Sequence, residues 1–503
     1  MTAHTLMIQG ATSDAGKSVL VTGLARWLHR QGVRVAPFKP QNMALNSAVT
    51  ATGGEIGRAQ AVQAEACGLT PSTDMNPVLL KPNSATGSQV IVQGRAIGNY
   101  SAQDYQALKP QLLAEVVAAH ARLQAQFEVV LVEGAGSPAE VNLRAHDIAN
   151  MGFAEAIDCP VIIVADIDRG GVFAHLYGTY AVLSPSEQAR IKGFVINRFR
   201  GDRRLLNSGL EWLEAQTGVP VLAVIPYVPD LHIEAEDSLQ LPSYQQAQPE
   251  QSALRVAVLQ VPRISNHTDF DVLRLHPQID CTFVQDPSAF AGADLIILPG
   301  SKNVREDLQW LQAQSWPKLL QRHLRWGGKV MGICGGLQML GETIHDPDGV
   351  ESSPGSSAGL GYLALETVLT GDKILRTVAG LTQASGLAPA GLPLAGYEIH
   401  TGRSSGAALQ QPLFTLTQAG QPEYAEGAYT EQVCGTYVHG CLDQPDFLAA
   451  VMVWAGAEAL APVPLDYRQM KQQAFDRLAD VLAAEFAAED LARLLGLPKG
   501  RLG

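Results

Sequence analysis

Short apolar runs, each ending in small and polar residues and followed by a helix-like stretch, recur along both halves of this chain. Thr5–Gln9, Val33–Phe38, Val129–Val132, Val161–Ala165, Gly193–Ile196 and Val221–Ile225 make the first series. Leu254–Leu259, Ala293–Leu298 and Val330–Ile333 begin a second. Runs this short and this uniformly apolar read as strands buried on both faces. Their alternation with helices predicts a parallel, doubly wound sheet in each half, an α/β fold. Such sheets hold ligands beyond the carboxyl ends of their strands. The residues directly after each run are therefore the functional candidates.

The first strand delivers Gly10-Ala11-Thr12-Ser13-Asp14-Ala15-Gly16-Lys17-Ser18. A helix follows, with Val19, Leu20, Gly23, Leu24, Trp27 and Leu28 on one face. Strand, glycine loop, Lys-Ser and helix together form a phosphate cradle. Its backbone amides (Gly10, Thr12 and Gly16 among them) and Lys17 would hold the phosphates of ATP, and the Ser18 hydroxyl would ligate Mg2+. The usual G-x-x-x-x-G-K-S spacing would require glycine at Ala11; here it stands one place earlier, at Gly10, so the cradle is a variant. Lys39, after the second strand, offers a second positive charge to the transferring phosphate. Gln41, Asn42 and Asn46 beyond it are candidates for gripping the substrate, with a simple turn as the alternative. Glu133, closing Val129–Val132, would hold the metal directly or through water, and Asn197 lies where related folds read the nucleotide base.

In the second half, Val330–Ile333 ends at Cys334, and Gly335-Gly336 open a helix. A cysteine on a strand-to-helix turn meets unpaired N–H groups and a positive dipole end, which favour thiolate. It reads as a nucleophile, with the N–H of Gly335 as an oxyanion donor. Gly300, in the loop after Ala293–Leu298, is a candidate for the second donor. A thiol nucleophile needs a base, and histidine is the natural one near neutral pH. His439 in G-T-Y-V-H-G is preferred; His400 in G-Y-E-I-H is the rival.

At 503 residues the chain exceeds a single core, so several domains are expected. We expect an ATP-using domain at 1–238, a polar, proline-bearing linker at 239–252, a cysteine-nucleophile domain at 253–446 and a helical segment at 447–503 that packs on the preceding domain. A formal charge of −13 disfavours a general nucleic-acid role. The six cysteines include no C-x-x-C pair, which suits a reducing compartment and speaks against a zinc framework. No apolar run approaches a membrane span. M-T-A-H-T leads straight into the first strand with no charged and apolar leader, and a cytoplasmic protein is expected.

The motifs G-A-T-S-D-A-G-K-S, F-K-P-Q-N-M-A-L-N-S, G-R-A-Q-A-V-Q-A-E-A, A-D-I-D-R-G-G, L-P-G-S-K-N, G-I-C-G-G-L-Q-M-L, G-Y-E-I-H and Y-V-H-G, in this order, resemble the glutamine-hydrolysing cobyric acid synthase family. The resemblance spans essentially the whole chain. It implies a dethiobiotin-synthetase-like P-loop domain, a class I-type glutamine amidotransferase domain and a helical tail. It also implies the substrates glutamine, ATP and a corrinoid: the b, d, e and g carboxylates of adenosylcobyrinic acid a,c-diamide would be amidated to give adenosylcobyric acid. Carried over by motif, Cys334 is the glutaminase nucleophile and His439 its base. The sequence departs from the broader glutaminase pattern, where glutamate stands two places after the histidine; Cys441 is there instead. Asp443 is one candidate for the orienting carboxylate, and a Cys-His pair without one is the other reading. The sister enzyme that amidates the a and c carboxylates shares both domains. A partition- or regulator-type ATPase would explain only the first half.

Overall fold

The structure, a computed structural model, describes residues 4–83, 87–231, 233, 254–418, 422–457 and 465–502; the linker expected at 239–252 lies outside them. The chain forms two compact units. The first comprises Met1–Ala44, Gly54–Glu236 and Gln469–Gly503, and the second Leu45–Gly53 and Asp237–Arg468.

The first unit is built on six parallel strands: β1 (His4–Gly10), β2 (Val35–Phe38), β3 (Val129–Glu133), β4 (Val161–Asp166), β5 (Ile191–Phe199) and β6 (Val221–Pro226). Their order is β6-β5-β4-β1-β3-β2. Side chains alternate across a strand, so β1 sends Met7 to one core and Leu6 and Ile8 to the other, while β3 sends Val130 and Val132 one way and Leu131 the other. Burial on both faces explains why these runs are apolar without a break. One face is covered by α1 (Lys17–Arg30), through Leu20, Leu24 and Leu28. The other is covered by α2 (Ala102–Gln124), through Leu112, Val116 and Leu123.

Three changes to the reading concern the first unit. Glu55–Cys67, whose pattern predicts a helix, begins as a short strand, Glu55–Gly57, and turns helical at Arg58. The tail divides: Phe447, Leu448, Val451 and Met452 pack in the core of the domain before them, whereas the residues beyond the second unit do not. Leu478, Leu482 and Phe486 join the core beneath α1, where Gly23 leaves room for Leu478 and Leu482. Arg26 adds a paired bond to Asp476, 2.8 Å and 3.1 Å. The third change is Leu45–Gly53, an excursion of the N-terminal chain into the second unit.

The second unit has its own parallel sheet: β7 (Leu254–Leu259), β8 (Ile279–Val284), β9 (Leu295–Leu298), β10 (Lys329–Ile333), an antiparallel edge strand β11 (Ala428–Tyr429) and β12 (Val433–Thr436), in the order β8-β7-β9-β10-β12-β11. A further, mainly antiparallel sheet is organised on the long strands Glu366–Thr382 and Pro393–Ser405 and takes in Val438–His439. Residues 304–326, whose spacing predicts one helix, form two, Val304–Ala313 and Trp316–Arg325, broken where Ser315 adopts φ +66°.

Candidate active sites

In the first unit the cradle loop runs from Gly10 to α1. Gly16 has φ +100°, and a Cβ there would lie 2.0 Å from Asn197 Nδ2. Only glycine fits, on grounds of both conformation and space. Asn197 Nδ2 donates to Ala15 O at 3.0 Å, so the end of β5 braces the loop. Lys17 Nζ donates to Gly136 O (3.0 Å), in the loop after β3.

Glu133 is the hub. Its Oε1 accepts from Ser18 Oγ at 2.7 Å and from Lys39 Nζ at 2.9 Å, and its Oε2 accepts from Gln63 Nε2 at 2.5 Å. Both members of the Lys39–Glu133 pair are buried. Burial alone would raise the Glu133 pKa, but the Lys39 charge and the three hydrogen bonds outweigh it and hold the carboxyl below its ordinary value. Three residues from separate stretches of the sequence thus converge, Ser18, Lys39 and Glu133, with Lys17 next to Ser18 in the cradle. Gln63, from the helix Arg58–Ala66, lies in the G-R-A-Q-A-V-Q-A-E-A motif, which assigned it no role. Gln41 accepts from Tyr105 OH (2.6 Å), and Asn42 donates to Gln60 Oε1 (2.9 Å). Asn46 belongs to the second unit, where it is bonded to His267.

Oxygen donors suit a hard divalent cation. Ser18 Oγ and an ionised Glu133 carboxylate, in contact at the end of a buried strand, fit Mg2+ with phosphates and water completing its shell. Among the described residues there is no group of three or more His, Cys, Asp or Glu side chains arranged to hold a metal without such help.

In the second unit β10 ends at Ile333, and Cys334 makes the turn with φ +55° and ψ −108°, a conformation that a non-glycine residue adopts only under constraint. The constraint is visible. Cys334 N donates to Thr436 O (2.7 Å) at the end of β12, and Cys334 Sγ lies 3.6 Å from Ile399 O. Three residues beyond Thr436 the chain has crossed to the antiparallel sheet, where His439 pairs with Tyr397. The nucleophile and His439 therefore come from the ends of adjacent strands. A methyl added at Gly300 would lie 3.6 Å from His439 Cε1, and one at Gly335 would lie 2.9 Å from Ser301 N. The Gly300–Ser301 loop, Gly335 and the imidazole thus form one rim.

His439 is fully buried, with Tyr397 stacked on it at 5.1 Å. Its Nδ1 donates to Asp269 Oδ2 at 2.6 Å, and Gly440 N donates to Asp269 Oδ1 at 3.1 Å. Burial opposes a charged imidazole, but the Asp269 carboxylate and then Cys334 overcome it, and the pKa is raised to about 10. Asp269, not Asp443, is the carboxylate on His439. The sequence pattern looks for this group shortly after the histidine, whereas here it stands 170 residues earlier, in a short 3₁₀ turn after β7. No motif marks it.

His400 is engaged elsewhere. Its Nδ1 lies 2.8 Å from Gly402 O, its Nε2 lies 3.7 Å from Glu398 Oε1, and its ring stacks on Tyr437 at 3.7 Å. Glu398 also accepts from Arg376 and Tyr424. Burial raises its pKa, but bonds from His400, Arg376 and Tyr424 prevail and hold it at about 2.

Residues 6–241 match the CobQ/CobB/MinD/ParA nucleotide binding domain, and residues 255–447 match the CobB/CobQ-like glutamine amidotransferase domain. Among solved structures the chain is similar to PurLQS from Thermotoga maritima, at 16% identity over 45% of this chain and 98% of that one, with a TM-score of 0.29. It is similar to a glutamine amidotransferase at 16% identity over 40% and 98%, TM-score 0.30. A third is the signal recognition particle receptor FtsY from Elizabethkingia anophelis in complex with GDP, at 15% identity over 44% and 57%, TM-score 0.27. Among the described residues no helix is long and apolar enough to cross a membrane.

Proposed function

We propose, from the premise that this chain has the two-domain architecture of the cobyric acid synthases and cobyrinic acid amidotransferases, that it is the former. On this reading it uses ATP and glutamine to amidate the b, d, e and g carboxylates of adenosylcobyrinic acid a,c-diamide. The observation that carries the mechanism is the pairing, on one chain, of a Cys334–His439–Asp269 constellation with a phosphate cradle around a buried Lys39–Glu133 pair.

In the second unit, Cys334 Sγ attacks the side-chain amide carbon of glutamine. His439 takes the thiol proton and passes it to the leaving ammonia. Asp269 accepts the Nδ1 proton, fixes the tautomer and stabilises the imidazolium, the state the site favours. The N–H of Gly335 and the backbone at Gly300 face the oxyanion. Water then cleaves the thioester, giving glutamate and free Cys334.

In the first unit an oxygen of the corrinoid carboxylate attacks the γ-phosphorus of ATP, and ADP leaves. Ammonia attacks the resulting acyl phosphate, and phosphate departs as the amide forms. Gly16 and Lys17 would hold the phosphates, Lys39 would add positive charge, and Asn197, which braces the cradle loop, is the candidate for reading the base. Ser18 and Glu133 would hold Mg2+, whose bound charge offsets that of the phosphates. Gln41 and Asn42 remain candidates on the corrinoid side.

The sister reading, amidation of the a and c carboxylates of cobyrinic acid, uses the same machinery. The Q-N-M-A-L-N-S segment after Pro40 favours the present one. Incubation with each corrinoid, ATP and glutamine, followed by mass spectrometry, separates the two. Exchange of four oxygens for nitrogens on the a,c-diamide supports the proposal, and product from cobyrinic acid alone overturns it.

A further inference from the structure

The excursion Leu45–Gly53 lies against the turn that carries Asp269. Asn46 makes two bonds to His267: its Nδ2 lies 2.9 Å from His267 Nε2, and its Oδ1 accepts from His267 N at 3.2 Å. The next residue donates as well, Ser47 N to Asn266 Oδ1 at 2.9 Å. Asn266 has φ +53° and ψ 41°, a left-handed conformation that a non-glycine residue keeps only when its surroundings hold it. Its carbonyl accepts from Asp269 N at 3.1 Å. Asn46, Ser47, Asn266, His267 and Asp269 are all buried. Three hydrogen bonds from two residues of the N-terminal chain therefore fix both residues that open the turn, and the turn aims Asp269 at His439.

We propose that Asn46 is a positioning residue for glutamine hydrolysis, holding Asn266–His267 so that Asp269 presents both carboxylate oxygens to His439 Nδ1 and Gly440 N. It touches neither glutamine nor the reacting atoms. The inference rests on the reading of the second unit as a glutaminase. It reassigns a residue of the F-K-P-Q-N-M-A-L-N-S motif that the sequence alone placed toward the corrinoid. Both continuations of the excursion, at Ala44 and Gly54, belong to the first unit, so the segment that sets the imidazole is tethered at each end to the nucleotide half.

The test uses the full-length protein and the variants Asn46→Ala and Asn46→Asp. Glutamate release is measured against glutamine concentration and pH, and amidation of the corrinoid a,c-diamide is measured with ammonium as the nitrogen source. Loosening a catalytic constellation from outside commonly costs about tenfold to a hundredfold in rate. Asn46→Ala should lower kcat for glutamine by that factor, with KM within about twofold, and should move the pH dependence of kcat as His439 loses its fixed partner. Asn46→Asp keeps the acceptor for His267 N and accepts from Nε2–H of the other His267 tautomer, so it should restore most of the rate. A merely structural role would lower the amount of folded enzyme and leave KM, pH profile and rate per folded molecule unchanged; that result overturns the proposal. So does a raised KM for the corrinoid with an unchanged glutaminase rate, which would put Asn46 on the substrate. If the unaltered protein releases no glutamate, the underlying glutaminase reading fails. If it does and Asn46→Ala matches it, only the positioning role fails.

Discussion

Asp269→Asn is the sharpest perturbation of the glutaminase half. The carboxylate accepts two hydrogen bonds at once, from His439 Nδ1 and Gly440 N. An asparagine has one carbonyl oxygen, so whichever donor it serves, its NH2 group is turned toward the other. If the imidazole responds by changing tautomer, the nitrogen facing Cys334 carries a proton and no longer accepts one. The energetic scale follows from the imidazole itself: burial disfavours its charge, yet Asp269 and Cys334 raise its pKa from 6.5 to about 10. That rise corresponds to roughly 5 kcal/mol in favour of imidazolium. If half of it survives to the transition state, the loss is about a hundredfold in kcat. A tautomer error of the kind known from serine-protease triads costs about ten-thousandfold. We expect a fall in the glutamate-release kcat between those limits with little change in KM. Thermal melting supplies an independent readout. A pKa raised on folding stabilises fully below the unfolded value near 6.5, and the contribution fades as pH rises toward about 10. The melting difference between wild type and Asp269→Asn should therefore be largest near pH 6 and shrink by pH 10. A kcat loss under threefold, or a melting difference that grows with pH, would refute the role given to Asp269.

Two further outcomes concern the nucleotide half. Gly16→Ala would place a methyl group 2.0 Å from Asn197 Nδ2 at a backbone φ of +100°; fluorescent-nucleotide titration should show at least about a tenfold loss of affinity, a cost of about 1.4 kcal/mol, while glutaminase activity persists. Glu133→Gln removes the carboxylate paired with the buried Lys39, and breaking such a pair costs about 3–5 kcal/mol. Chemical denaturation should show a loss of that size, and ATP-dependent amidation should disappear; an unchanged midpoint would count against the hub.

The parallel sheets were legible because strands buried on both faces leave an unmistakable apolar record, and because functional loops follow their ends. The strand-to-helix turns at Cys334 and at the Gly10–Ser18 loop were legible for the same reason. The antiparallel sheet of the second unit was not. Its long strand Glu366–Thr382 alternates only weakly between buried and exposed positions, and half-exposed strands carry little apolar signal. Asp269 escaped because a carboxylate bonded to a histidine 170 residues away has no local pattern. Asn46 reads as a substrate candidate because a polar residue soon after a strand usually faces the sheet edge; its place in the second unit, bonded to His267, has no local pattern. Ser315 breaks a helix that its neighbours would extend, and nothing short of its backbone conformation reveals that.

The most direct test follows labelled nitrogen. Wild-type protein and Cys334→Ser are supplied with ATP, the corrinoid a,c-diamide and either amide-labelled glutamine or labelled ammonium, and label in the corrinoid product is counted by mass spectrometry. The account predicts label from both sources with the wild type, and from ammonium alone with Cys334→Ser. Label from glutamine in the serine variant, or equal loss from both sources, would contradict a cysteine that frees ammonia for a separate ATP-dependent site.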